Sequence, residues 1–128
     1  MTQEDKELLL KDLCARLDTN LVCSIYKTDD EGVGYRDEIL HGYCKGDIWY
    51  EFYFREDCSI SIDNVSKIKP YLFPLSSITK KRLEELSEYI DIKNAYVAVE
   101  LLNSHHIDYR GLIEKGLAID ATNLNIYC

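Results

Sequence analysis

The densest run of chemically capable side chains is His105-His106-Ile107-Asp108-Tyr109-Arg110. It brings two imidazoles, a carboxylate, a phenol and a guanidinium into six consecutive residues. Such a set can hold an anion through Arg110 and the imidazoles, or relay a proton. Adjacent histidines rarely point the same way, and neither an HExxH helix nor paired cysteines accompany them, so no metal site is expected. A structural reading fits the spacing better. Asp108 caps a helix, Arg110 pairs with an acid, and a histidine meets the terminal carbonyls of the preceding helix. The ligand-binding alternative is a pocket for a small molecule or nucleotide between sheet and C-terminal helices, lined by His105, His106, Tyr109 and Arg110.

Other routes to chemistry are poorly supplied. There is no GxSxG turn, and the only cysteine with a histidine close in sequence is Cys44, three residues from His41. On a strand those two face opposite sides. Gly32-Val33-Gly34 is too short for a phosphate loop and has no basic residue or helix behind it. The five cysteines (Cys14, Cys23, Cys44, Cys58, Cys128) are odd in number and scattered, with no CxxC pair. Reduced thiols are expected, with Cys14 on an apolar helix face and Cys23 inside a strand. No cofactor is implied, and the chain reads as a non-enzyme.

The aromatic run is the more informative surface. Tyr43, Trp49, Tyr50, Phe52, Tyr53 and Phe54 crowd twelve positions. In residues 48–55, Ile48, Tyr50, Phe52 and Phe54 fall on one face of a strand, and Trp49, Glu51, Tyr53 and Arg55 on the other. Charge is concentrated in the same region: residues 29–63 hold ten acids and three bases, for −7 of the net −8. Exposed Trp49 and Tyr53 beside Glu51, with Asp29-Asp30-Glu31 in a neighbouring turn, would suit a partner carrying Arg or Lys. Binding to nucleic acid through its phosphates is disfavoured by this balance.

The elements that position these residues follow from hydrophobic period. Residues 3–18 form an amphipathic helix with Leu9, Leu10, Leu13, Cys14 and Leu17 inward and Lys6, Lys11, Asp12 and Arg16 elsewhere around it. Thr2 caps its start. Strands follow at 21–27, 35–44, 48–55 and 58–63, with a turn-rich stretch at 28–34. Pro70 and Pro74 forbid a regular helix and favour packed, extended chain. Helices follow at 80–90 and 94–103, the second mostly buried, and a short one after Asp108. Gly116 suits a left-handed helix end, with Leu117 returning onto Leu112 in a Schellman arrangement. Residues 120–128 read as a tail that can be loose. The expected fold is a single α+β domain: an N-terminal helix, an antiparallel sheet of about four strands, and C-terminal helices.

At 128 residues, 46% hydrophobic and 30% charged, the chain can bury a core without a metal or disulfide staple. No signal-peptide pattern or apolar run of spanning length is present, which points to a cytoplasmic protein with no membrane partner. Oligomeric state does not follow from the residues.

Three stretches carry a resemblance: Lys6-Glu7-Leu8-Leu9-Leu10-Lys11-Asp12-Leu13-Cys14-Ala15-Arg16-Leu17, Ile68-Lys69-Pro70-Tyr71-Leu72-Phe73-Pro74-Leu75-Ser76-Ser77, and His106-Ile107-Asp108-Tyr109-Arg110-Gly111-Leu112-Ile113-Glu114-Lys115-Gly116-Leu117-Ala118. Together they resemble a group of small uncharacterised proteins that recur in gut Bacteroidetes genomes and their phages or mobile elements. That resemblance implies a setting, in which counter-defence or regulation is plausible, and no activity. The functional expectation is a non-enzymatic interaction module whose acidic, aromatic sheet face binds a basic protein surface, in one version by mimicking nucleic acid.

Overall fold

A computed structural model describes residues 1–29, 32–45, 50–54, 58–77, 84 and 95–127. Helix α1 (Gln3–Ala15) starts where Thr2 Oγ1 accepts the Asp5 N–H at 3.1 Å, and Glu4 and Asp5 complement the positive end of its dipole. It ends through an Arg16 N–H bond to the Leu13 carbonyl, and Asn20 then reverses the chain at φ 56°. The buried stripe is Leu9, Asp12, Leu13 and Arg16. Leu10 and Leu17 are half-buried and Cys14 is exposed, so the helix is rotated from the purely apolar face that the leucines suggest. The rotation has a physical cause, since Asp12 and Arg16 find partners inside.

Strands β1 (Val22–Asp29) and β2 (Gly32–Lys45) form an antiparallel hairpin in register to its tip, where Asp29 pairs with Gly32. Residues 28–29 and 32–34, expected to lie in a turn-rich stretch, are therefore paired strand. β3 (Tyr50–Phe54) and β4 (Cys58–Ser61) continue the meander, with a bulge in β2 between Leu40 and Gly42. Phe52, Phe54 and Ile60 enter the core, where they join Cys23 and Ile25 of β1 and Leu9 and Leu13 of α1. Glu51 and Tyr53 stay half-buried on the other face, as the period-two pattern predicts.

After a 3-10 turn against α1, the two-proline segment becomes β5 (Ile68–Pro74), inside the sheet. The prolines fit because of where the partners change. β1 pairs with residues 68–70, and the parallel partners take over from Tyr71. Pro70 thus sits at the handover, and Pro74 is the strand's last residue, where missing donors cost least.

Helix α2 (Ala95–Ser104) is followed by β6 (Ile107–Asp108) and β7 (Ile119–Asp120), both parallel to β5. Among the described residues the sheet therefore has seven strands, ordered β4-β3-β2-β1-β5-β6 with β7 also on β5. The α+β class and N-terminal helix stand. The all-antiparallel sheet of about four strands does not, because the C-terminal region contributes strand bridges as well as α2. The helix read at 80–90 lies outside the described residues apart from Glu84. From 99 to 104, only Asn103 of α2 is buried, so this half of the helix is wetter than its composition suggests.

Past Asp108 the chain forms one closed turn in place of a helix. The Asp108 carboxylate accepts the N–H groups of Arg110, Leu112 and Ile113 at 3.3, 3.0 and 2.9 Å. The Leu117 N–H bonds to the Leu112 carbonyl and the Gly116 N–H to that of Ile113, with Gly116 at φ 73°. These are the two bonds of a Schellman motif. The segment 119–127 is tied down at two points. The Ala121 N–H reaches the Leu72 carbonyl at 2.8 Å, and Tyr127 is half-buried.

Candidate functional site

The cluster singled out from 105 to 110 folds onto the end of α1, and its centre is Asp12. This carboxylate, 0% exposed, accepts Arg16 Nε at 3.0 Å and Nη2 at 3.1 Å, and Arg110 Nη1 at 2.7 Å. One buried anion is thus shared by two guanidinium groups, one local and one 98 residues away in sequence. Arg16, also 0% exposed, donates a further Nη2 bond to the Ile107 carbonyl at 2.6 Å. The Tyr109 ring lies under both cations, 4.5 Å from Arg110 and 5.3 Å from Arg16, and its hydroxyl donates to Asn103 Oδ1 at 2.7 Å.

His106 occupies the left-handed region at φ 60° and is buried, with its ring stacked on Tyr127 at 3.9 Å and 16°. Burial, then the positive charge of Arg16, then His105, lower its pKa to about 4, so the imidazole is neutral at pH 7. His106 Nδ1 and Arg16 Nη1 are buried without a hydrogen-bond partner among the described residues. His105 is exposed. Arg110 and Tyr109 therefore meet, as expected of neighbours, but around Asp12, while His106 turns to Tyr127. The acid that pairs with Arg110 is identified. The expected histidine contact to helix-end carbonyls is made by backbone N–H groups, His105 to Leu101 and His106 to Asn103.

Among the described residues, clefts border this cluster. One, of about 490 Å³, runs between the ends of α1 and α2 and includes Cys14, Asp18, Glu100 and Asn103. Another, also about 490 Å³, lies along Phe73 and residues 121–127. No group of three or more metal-ligating side chains converges among the described residues. Burial, followed by the charge of Asp12, raises the Cys23 thiol pKa strongly, and burial raises that of Cys14, so neither is a poised nucleophile.

The outer sheet face is the second candidate. Alternation from buried Cys23 and Ile25 places Ser24 and Tyr26 on the other face, where Ser24 is buried and Tyr26 half-buried, and the hairpin register sets Asp37 and Tyr35 beside them. Tyr26 and Tyr35 meet edge to face at 5.1 Å, and Tyr35 is 71% exposed. Asp37 accepts the Tyr71 hydroxyl at 2.7 Å. Further along the face, Tyr53 lies 5.5 Å from His41, which is the extra residue of the bulge. The Tyr53 ring rests over Gly42, where an added Cβ would stand 2.6 Å from it.

Of the residues expected to bind a partner, Tyr53 and Glu51 lie on this face, and the backbone of Asp29 closes the hairpin. Trp49, Asp30 and Glu31 lie outside the described residues. Sequence reasoning missed Tyr26 and Tyr35, although a two-residue turn at 30–31 would have set them opposite each other. It also missed Asp12 and Arg16, an i,i+4 acid–base pair flanking Leu9 and Leu13.

No protein-family model, curated protein or solved structure matches the chain.

Proposed function

We propose that the protein is a non-enzymatic interaction module whose outer sheet face docks a basic protein surface. The observation that carries this reading is Tyr35, 71% exposed and braced edge-on by Tyr26, on a ribbon that reaches past its neighbours. β5 pairs with β1 only at residues 23–25, and β3 with β2 only from Leu40 onward. Among the described strands, residues 26–29 and 32–35 therefore pair only with each other. In sequence, the acids Asp29-Asp30-Glu31 fall between the two strands, and Val33 is 67% exposed. Rigid aromatic anchors within an acidic rim favour partners rich in arginine or lysine.

The small-ligand reading has less support, because Arg110, Tyr109 and His106 are already engaged by Asp12, Asn103 and Tyr127. No helix among the described residues is long and apolar enough to cross a membrane.

The test is affinity capture from a lysate of the source organism at low and high salt, with the wild type and with Tyr35→Ala. The reading expects basic proteins that are retained at low salt, released at high salt and lost with Tyr35→Ala. Retention that ignores both salt and Tyr35→Ala would remove it.

A further inference from the structure

The Tyr127 hydroxyl enters the sheet at the seam where β1 and β5 part. Cys23 and Pro70 are the last paired positions of that ladder. At the next step the Val22 N–H donates to Tyr127 Oη at 3.0 Å, and Tyr127 Oη donates to the Tyr71 carbonyl at 2.8 Å. A longer contact of 3.4 Å joins Oη to the Val22 carbonyl. A phenol oxygen thus stands where a backbone hydrogen bond would be. The ring is held from two sides, stacked on His106 at 3.9 Å and tilted against Phe73 at 5.9 Å. Thr122, Asn123 and Leu124 of the same strap are exposed, so Tyr127 anchors its far end as Ala121 anchors its near one. Burial raises the hydroxyl pKa far above its ordinary value, which keeps it a donor.

One donor, one acceptor, a stacking face and a ring edge are the complete requirements of a phenol. We infer that this seam is a binding site for a phenolic ring, filled in cis by Tyr127, which an exogenous phenol or a tyrosine side chain of another chain can replace. The inference is independent of the sheet-face reading. The geometry it uses belongs to the opposite end of β1 from the ribbon.

The test uses Tyr127→Ala in the full chain, titrated with p-cresol and with toluene, which lacks the hydroxyl. The expected result is saturable p-cresol binding about tenfold tighter than toluene, since the hydroxyl adds two modest hydrogen bonds. Melting temperature should rise with p-cresol concentration, and amide shifts should centre on Val22, Leu72 and His106. A folded Tyr127→Ala that binds p-cresol no better than toluene, or shifts elsewhere, overturns the site. Should that variant not fold, Tyr127→Phe keeps the ring and loses only the hydroxyl. There p-cresol should speed hydrogen exchange at residues 119–126 more than in the wild type, and unchanged exchange overturns the site equally. A capped tyrosine peptide run beside p-cresol separates the two sources. Tighter binding of the peptide indicates a tyrosine of another chain, and equal binding a free phenol.

Discussion

Asp12 holds together two segments that are far apart in sequence, and its removal leaves Arg16 buried without a counter-charge. Asp12→Ala should therefore cost about 3–5 kcal/mol in denaturant unfolding. Arg110→Ala should cost less, because its side chain is 15% exposed and Arg16 still neutralises Asp12. Joint replacement of Asp12 by Leu and Arg16 by Met should recover much of the loss, since apolar residues of similar volume often replace a buried pair without penalty. His106 adds a pH dependence. Its folded pKa of about 4 lies below the ordinary 6.5, so the unfolded chain binds more protons between those values. Stability from this group is full above pH 6.5 and falls as pH drops toward 4, by roughly 2 kcal/mol after allowing for residual solvent contact. Urea unfolding at pH 7.5, 5.5 and 4.5 should show that slope in the wild type and a shallower one in His106→Asn, which tolerates the left-handed backbone. Much of this cluster was legible: the Asp108 cap, the Gly116–Leu117 closure and an acid for Arg110 follow from local chemistry. Asp12 was not, because a stripe of 9, 10, 13, 14 and 17 is as helical as one of 9, 12, 13 and 16. Only a partner from residue 110 decides between them.

At the level of elements, Gly116 and Gly42 separate conformational from steric cost. Gly116→Ala meets nothing within 4 Å, so its penalty is that of the left-handed backbone, about 1 kcal/mol. Gly42→Ala places its Cβ against the Tyr53 ring, so the ring must swing off the sheet face. Thermal unfolding should register the first as a small loss. For the second, aromatic proton shifts of Tyr53 and His41 should move even where stability changes little. The meander from β1 to β4 was readable because alternation and short connections are local signals. β6 and β7 were not, since two-residue parallel bridges have no period to read, and their partner is a strand that its prolines disguise. The segment after residue 119 has no period to read, and it is held by partners distant in sequence, Leu72 on Ala121 and Val22 and Tyr71 on Tyr127.

Over the whole molecule, the net negative charge is concentrated in residues 29–63, and the folded hairpin presents part of that segment beside Tyr26 and Tyr35. Charges on a rim mainly accelerate association and are screened beyond roughly 8 Å at physiological ionic strength. A central aromatic anchor acts mostly on dissociation. These two expectations meet in the kinetics of binding to the basic protein recovered by capture, measured from low to high salt. Neutralising Asp29, Asp30 and Glu31 to their amides should slow association several-fold at low salt and leave dissociation nearly unchanged. Tyr35→Ala should leave association nearly unchanged and speed dissociation by tenfold or more, about the effect of losing one anchor side chain. Association and dissociation rates that ignore salt and tolerate both changes would contradict the account, and would leave the acidic ribbon as a solvated surface feature.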